Sequence, residues 1–250
     1  MKINTDLNIL GGLPDWNLIN VFLERKLSKT GKDDGVNSFT AIKTDKSVKR
    51  FQRAISSTMI KFCSSDVEVL IRAGLVKEGL SRDILLLMFW NASFNNELLD
   101  YLNQKVYFLF FYSGRVSIKG DEVVACLKDL KEREPGLKKW SDNTLSLTAS
   151  KYLTVLKKFN LLEGALNKTI IHPYLNDKMF ILFVYWLKAV EPKSNILDST
   201  WLKYCFSDMS VFTERVMQKK YSKYYELNYT GDKLKIETLI PYENIHHAIN

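Results

Sequence analysis

Apolar residues recur at helical spacing through the first 112 residues of the chain. Val48, Ile55 and Phe62 share one face of a predicted helix, whereas Arg50 and Arg53 lie on another. The same spacing predicts five helices in this part of the chain: Trp16–Leu27, Ser47–Phe62, Asp66–Arg72, Arg82–Asn91 and Glu97–Tyr112, the last as one bent helix or two. A charged, glycine-containing loop is predicted at Lys29–Asn37.

The pattern changes after Ser113. Val116–Ile118 is predicted as a short strand and Asp121–Lys131 as a helix, which ends before the turn residues Pro135 and Gly136. This succession places a strand, a helix and a turn directly before the most informative segment of the chain.

That segment begins at Ser141, whose side chain is predicted to cap a helix that runs to about Phe159. Its apolar residues, from Leu145 onward, form a core stripe, and Ser, Thr and Lys occupy the other side. A helix, a turn and a helix with such a face predict a helix-turn-helix arrangement, because an α-helix fits the major groove. Leu161–Gly164 and Lys168–Ile171 are predicted to form a small wing.

A similar unit is predicted near the end of the chain. Asp177–Val190 is apolar on nearly all sides and is expected to be a buried helix. Two short helices, Asp198–Phe206 and Ser210–Lys219, then precede two alternating strands, Tyr224–Tyr229 and Lys233–Ile240. Helix, helix and hairpin is a winged-helix order.

The predicted fold class is therefore mainly α: a helical bundle with helix-turn-helix or winged-helix elements and a short C-terminal β-hairpin. We expect an N-terminal helical domain at 1–115, a central helix-turn-helix region at 116–195, and C-terminal helices with the hairpin, a second winged-helix element, at 196–250.

Composition adds a chemical expectation. The 250 residues carry a formal net charge of +8, which favours a polyanionic partner because phosphate neutralisation releases counterions. The longest apolar run, Met179–Leu187, is too short to cross a bilayer, and no leader-like apolar segment opens the chain. Three widely spaced cysteines exclude a disulfide framework and a zinc site. We therefore expect a cytoplasmic protein that does not bind membranes.

The candidate nucleic-acid contacts are the cationic and hydrogen-bonding residues of the predicted helices, wing and hairpin. They are Arg50, Arg53, Lys138, Lys139, Ser141, Asn143, Thr144, Ser146, Ser150, Lys151, Thr154, Lys157, Lys158, Lys168, Lys219, Lys220, Lys223, Lys233 and Lys235. Arginine, the commonest reader of guanine, is absent from residues 137–160. We therefore predict phosphate-dominated binding with weak sequence specificity.

Catalysis is not expected. The three histidines are His172, His246 and His247, the last two near a chain end where fraying is common, and no hydrolase, zinc-protease or ATPase motif occurs. Acid and lysine pairs with nuclease-like spacing, Asp129 with Lys131 and Glu191 with Lys193, are expected by chance. We predict no catalytic residue, no metal site and no cofactor.

The segment 138–162 resembles the BrxA family of BREX phage-defence systems. Trp140, Ser141 and Thr144 match a W-S-x-x-T motif, and Phe159–Leu162 takes the place of the turn that ends the following helix. The resemblance covers about residues 40–175. It implies a helical protein with winged-helix elements and a non-catalytic DNA-binding role beside other BREX components, which include a methyltransferase and an ATPase.

Four hypotheses remain at this point. The first is binding of double-stranded DNA beside other BREX components. The second is binding of RNA, with Tyr224, Tyr225 and Tyr229 as a stacking surface. The third is a scaffold for acidic partner proteins, and the fourth is a metal-dependent nuclease. The sequence leaves the oligomeric state open.

Overall fold

The computed structural model describes residues 1, 3–14, 19, 44–165 and 167–249. These are mainly helical and contain two small antiparallel sheets. The chain forms two compact units, one of residues 1–61 and 88–171 and one of residues 62–87 and 172–250. The three regions predicted from the sequence have other boundaries and stay a prediction about domains. The predicted helix at 16–27, apart from residue 19, and the loop at 29–37 lie outside the described residues.

The helices and strands are numbered in chain order. Up to the first sheet they are α1 (Asp6–Leu10), α2 (Asp45–Thr58), α3 (Ser65–Glu78), α4 (Arg82–Asn95), α5 (Glu97–Leu102), a π-helical turn (Asn103–Tyr107), α6 (Phe108–Tyr112) and β1 (Ser117–Ile118). They continue with α7 (Gly120–Arg133), a 3₁₀ turn (Pro135–Leu137), α8 (Asp142–Lys158), β2 (Leu162–Glu163), β3 (Lys168–Ile170) and α9 (Asp177–Val190). The last are 3₁₀ turns (Ile196–Asp198, Thr200–Cys205 and Lys219–Tyr221), α10 (Met209–Val216), β4 (Tyr225–Tyr229), β5 (Leu234–Thr238) and α11 (Ile245–Ala248).

In the first unit, α7 and α8 pack against each other. A three-stranded sheet contacts α8 through β2. Leu127 of α7 and Leu145 and Leu156 of α8 are fully buried. The strand order is β1–β3–β2, with both neighbours antiparallel to the central β3. The predicted succession of strand, helix, helix and two strands is thereby confirmed.

A polar network crosses the core of this unit. The Tyr152 hydroxyl donates to Asn103 Oδ1 at 3.0 Å, and Asn103 Nδ2 donates to Ser93 Oγ at 3.0 Å. Asn103 is the first residue of the π-helical turn. The segment Glu97–Tyr112, predicted as one bent helix or two, is therefore helical throughout, and its hydrogen-bond pattern changes locally at this turn. Burial of the phenol raises the pKa of Tyr152 well above its ordinary value.

Two helices run further than the sequence predicted, for different reasons. Helix α3 continues through Gly74, where a Cβ would meet the His246 ring at 2.8 Å, so this glycine permits close packing inside a helix whose C-cap is Gly79. In α4, Asn91 and Asn95 point at the carbonyl groups that end α2, and Asn91 Nδ2 donates to Met59 O at 2.8 Å.

The second unit is built on α9, whose residues Phe180 and Trp186 are fully buried. The Tyr185 hydroxyl donates to Tyr224 O at 2.6 Å and accepts from the Ile240 amide at 3.2 Å. These bonds hold the residue before β4 and the chain just after β5, at the open end of the hairpin. None of the helices in the described part of the chain combines the length and the apolar character needed to span a membrane.

Candidate nucleic-acid interface

Helix α8 begins at the predicted cap. The Thr144 amide donates to Ser141 Oγ at 3.2 Å, and Asp142 lies favourably in the first turn. One side of the helix is buried on α7. The opposite side carries residues that repeat every three or four positions and point to solvent. This outward stripe consists of Asn143, Ser146, Leu147, Ser150, Thr154 and Lys157.

Two lysines meet at the turn between β2 and β3. Lys157 Nζ donates to Gly164 O at 2.9 Å, and Lys168 Nζ donates to the same oxygen at 3.2 Å and to Ala165 O at 2.8 Å. Partial burial, together with the charge of Lys157, lowers the pKa of Lys168. Among the described residues no carboxylate forms an ion pair with either ammonium group, so the turn keeps a concentrated positive charge.

A groove of about 470 Å³ lies between the start of α7, the outward stripe and this turn. Ser146 and Ser150 line one wall, Gly120 and Asp121 line another, and Lys168 closes the end. Hydroxyl groups and an ammonium group therefore face a shared channel, and Asp121 is the acidic group in its wall.

Not every predicted contact on α8 faces outward. Lys158 Nζ donates to the Leu10 and Leu13 carbonyl oxygens, which end α1. Lys151 lies on the same side, where a Cβ on Gly11 would meet the Lys151 carbonyl oxygen at 2.6 Å. Helix α1 thus covers the flank of α8 that holds Lys151 and Lys158, and the ammonium group of Lys158 is engaged by backbone.

Apart from Thr144, the remaining predicted contacts of the first unit are solvent-exposed. Lys138 and Lys139 lie in the turn between α7 and α8. Arg50 and Arg53 lie on the exposed side of α2 together with Lys46 and Lys49, which forms a second basic surface at i, i+3, i+4 and i+7 spacing. Thr144 is half-buried beside its cap.

In the second unit one predicted cation, Lys220, is paired with an acid. Lys220 Nζ donates to Asp177 Oδ2 at 2.7 Å, and the Tyr221 hydroxyl donates to Asp177 Oδ1 at 2.6 Å. These bonds from Lys220 and Tyr221 lower the pKa of Asp177 to about 2. Lys219, Lys223, Lys233 and Lys235 are exposed.

The outward face of the β4–β5 hairpin is mixed in charge. Lys235 is opposite Asn228, and the next outward pair is Glu226 opposite Glu237. Of the three tyrosines proposed for base stacking, Tyr224 and Tyr225 are buried and only Tyr229 is exposed. Tyr225 is held by a hydrogen bond from its hydroxyl to Val216 O at 3.1 Å.

The three cysteines differ in exposure. Cys205 is buried and Cys126 is half-buried, and burial raises the pKa of both thiols, that of Cys205 to about 12, whereas Cys63 is exposed. His246 does not lie in a frayed end: it is buried, and its Nε2 lies 2.8 Å from Leu70 O. Asp129 pairs with Arg133 on α7. In the ranges that the structure describes, no group of three or more His, Cys, Asp or Glu residues is placed to hold a metal ion.

Comparison with known proteins gives one family. The BrxA family model matches residues 40–183, more than half of the chain, and this range includes α8 and all three strands of the first sheet. No curated protein and no solved structure matches the chain. The resemblance found in the sequence is thereby confirmed: the chain belongs to the BrxA family and is a BREX-associated protein.

Proposed function

We propose that this chain is a non-catalytic accessory protein of a BREX phage-defence system that binds double-stranded DNA with weak sequence specificity. It acts in the cytoplasm, beside other BREX components. The observation that carries the proposal is the outward stripe of α8, which ends at the paired lysines Lys157 and Lys168.

The topology supports this use of α8. A strand, two helices and two further strands in the order β1–β3–β2 is the arrangement of a winged helix-turn-helix, in which the second helix enters the major groove. In that assignment α8 is the recognition helix, and the turn between β2 and β3 is the wing. Lys157 and Lys168 then stand where the wing approaches the sugar–phosphate backbone.

The residue types on the stripe support weak specificity. Serine and threonine hydroxyl groups donate to phosphates or to several bases, so they discriminate little. Lysine recognises phosphate as a point charge. We assign the phosphate contacts to Lys157, Lys168, Lys138 and Lys139, with Arg50 and Arg53 as a secondary surface. Lys157 and Lys168 make their carbonyl bonds at an exposed turn, whereas the bonds of Lys158 are partly buried beside α1, so we leave Lys158 out of this set.

The test is to place negative charge on the stripe without touching the core. A Ser146→Glu, Ser150→Glu double variant is titrated against a fluorescein-labelled duplex by fluorescence anisotropy at low salt. Both serines are exposed, so we expect normal folding. Duplex affinity should fall by about tenfold or more, since like charges at an interface cost on the order of several kcal/mol.

The matched control is the double variant Ser194→Glu, Ser210→Glu, which adds the same charge at exposed serines of the second unit. Its affinity should stay near that of the wild type. Equal losses in both variants would mean that only net charge matters, and an unchanged affinity of the stripe variant would remove α8 from the interface. Preference for a matched RNA would favour the RNA hypothesis instead.

A further inference from the structure

The outward stripe contains one residue that phosphate binding does not explain. Leu147 is 50% exposed, although every other member of the stripe is polar or charged. Leu145 and Leu153 on the same helix are 0% and 5% exposed, so the core of the unit is supplied by other leucines. Leu147 therefore contributes little to packing and presents an aliphatic side chain to solvent.

Leu147 lies near the start of the stripe, at the edge next to the flank that α1 covers. It lies one helical turn after Asn143 and, with Ser146 and Ser150, spans the N-terminal half of α8. In a helix-turn-helix, the N-terminal residues of the recognition helix face the base edges, whereas later residues approach the backbone. Lys157 occupies the later, backbone-facing end.

We propose that Leu147 contacts the C5-methyl group of thymine in the major groove, so that A·T base pairs are preferred beneath the first half of α8. This inference rests on the proposed duplex binding. The thymine methyl is the apolar group among the base-edge features of the major groove, and apolar side chains are its natural partners. Asn143, one turn earlier, is of the residue type that pairs with adenine.

The size of the effect agrees with weak specificity. One buried methyl or methylene group changes affinity by about fourfold. Such a contact biases a protein toward A·T-containing duplexes without restricting it to one short motif. The ligand class is therefore B-form DNA with thymine in the bound segment.

The experiment compares two duplexes that differ only in this methyl group. An A·T-rich duplex is prepared once with thymine and once with deoxyuridine at every thymine position, and both are titrated against wild-type protein by anisotropy. We expect the thymine duplex to bind about fourfold more tightly. In Leu147→Ala the two affinities should become equal, because the side chain that senses the methyl group is gone.

The control is Leu109→Ala, which removes a comparably exposed leucine from α6 in the same unit and should keep the wild-type ratio. The ratio of the two duplex affinities for one variant is independent of how much of that variant is folded. Comparing this ratio between variants removes any effect of the methyl groups on DNA flexibility, because the same two duplexes are used. A wild-type ratio of one, or a ratio that persists in Leu147→Ala, would overturn the inference while duplex binding stands. Failure of both duplexes to bind would instead contradict the proposed function.

Discussion

The region from β1 to β3 and the region from α10 to β5 both place a β-hairpin after helical segments, and both are rich in lysine. They differ in what surrounds the lysines. In the first, Lys157 and Lys168 bind uncharged carbonyl oxygens, so their charge stays uncompensated. In the second, Lys220 is bound by Asp177, and the hairpin carries Glu226 opposite Glu237.

This difference shows that a count of lysines along the chain does not locate a positive surface. The field at a surface depends on which cations keep a carboxylate beside them. It also depends on how exposed each cation is, because Lys158 is half-buried beside α1 whereas Lys157 is exposed. The first region is therefore the better candidate for phosphate binding, and the predictions below test the two regions separately.

The largest effect is expected within α8 itself, between two adjacent lysines. Lys158→Met removes the donor to the carbonyl groups that end α1, and we expect the free energy of unfolding to fall by about 1–2 kcal/mol. Lys157→Met removes an exposed contact and should change it by less than about 0.5 kcal/mol. Urea denaturation measures both. Equal losses of unfolding free energy in the two variants would mean that Lys158 on the covered side of α8 contributes no more to stability than Lys157 on the outward side.

A smaller effect is expected at Asp177 in the second region. Its pKa is lowered to about 2 when folded, so its ion pairs stabilise the protein above the ordinary carboxyl pKa, and this contribution is lost as the pH falls from about 4 to about 2. Because the side chain is 54% exposed, we expect Asp177→Asn to cost about 0.5–1 kcal/mol at pH 7.

The measurement is the difference in unfolding free energy between wild type and Asp177→Asn across this pH range. The difference should shrink toward zero at the acid end. Glu243→Gln, at an exposed carboxylate, is the control and should show little difference at any pH. An Asp177 difference that stays constant across this pH range would show that its ionised carboxylate is not responsible.

The smallest effect is expected on the hairpin. Glu226→Gln removes one of two carboxylates that lie opposite each other on β4 and β5. Because Lys188 pairs with Glu237 at 2.8 Å and offsets part of the repulsion, we expect a gain of only about 0.2 kcal/mol in unfolding free energy. Thermal or urea unfolding checks this against Glu132→Gln, an exposed acid on α7. A loss of stability would mean that Glu226 has a favourable partner and that the two facing carboxylates do not lower the unfolding free energy.

Local patterns were sufficient to predict much of the fold. A few neighbouring residues predict each of these elements: Ser141 and the apolar spacing predict α8, and the alternation of apolar and polar residues predicts β4 and β5. Tertiary partners were not predictable in this way. The sequence does not show that α1 lies beside Lys158 and engages its ammonium group, or that His246 packs against Gly74.

The candidate site shows the same division. Periodicity placed Ser146, Ser150, Thr154 and Lys157 on one side of α8, because a helix repeats every 3.6 residues. It gave no means of knowing that α1 covers Lys151 and Lys158, or that Asp177 engages Lys220, since these contacts join distant parts of the chain. The same periodicity places Leu147 on this side, but an apolar residue was not among the types expected to contact phosphate.

The central claim is that the uncompensated charge of the α8 and β2–β3 region binds duplex DNA. The most direct measurement is the salt dependence of duplex affinity for wild type, for Lys157→Ala with Lys168→Ala, and for Lys219→Ala with Lys235→Ala. We predict that the slope of log affinity against log salt loses about 2 in magnitude in the first double variant, about 0.9 per phosphate contact, and is unchanged in the second. An unchanged slope in the first variant, or an equal loss in both, would contradict the account.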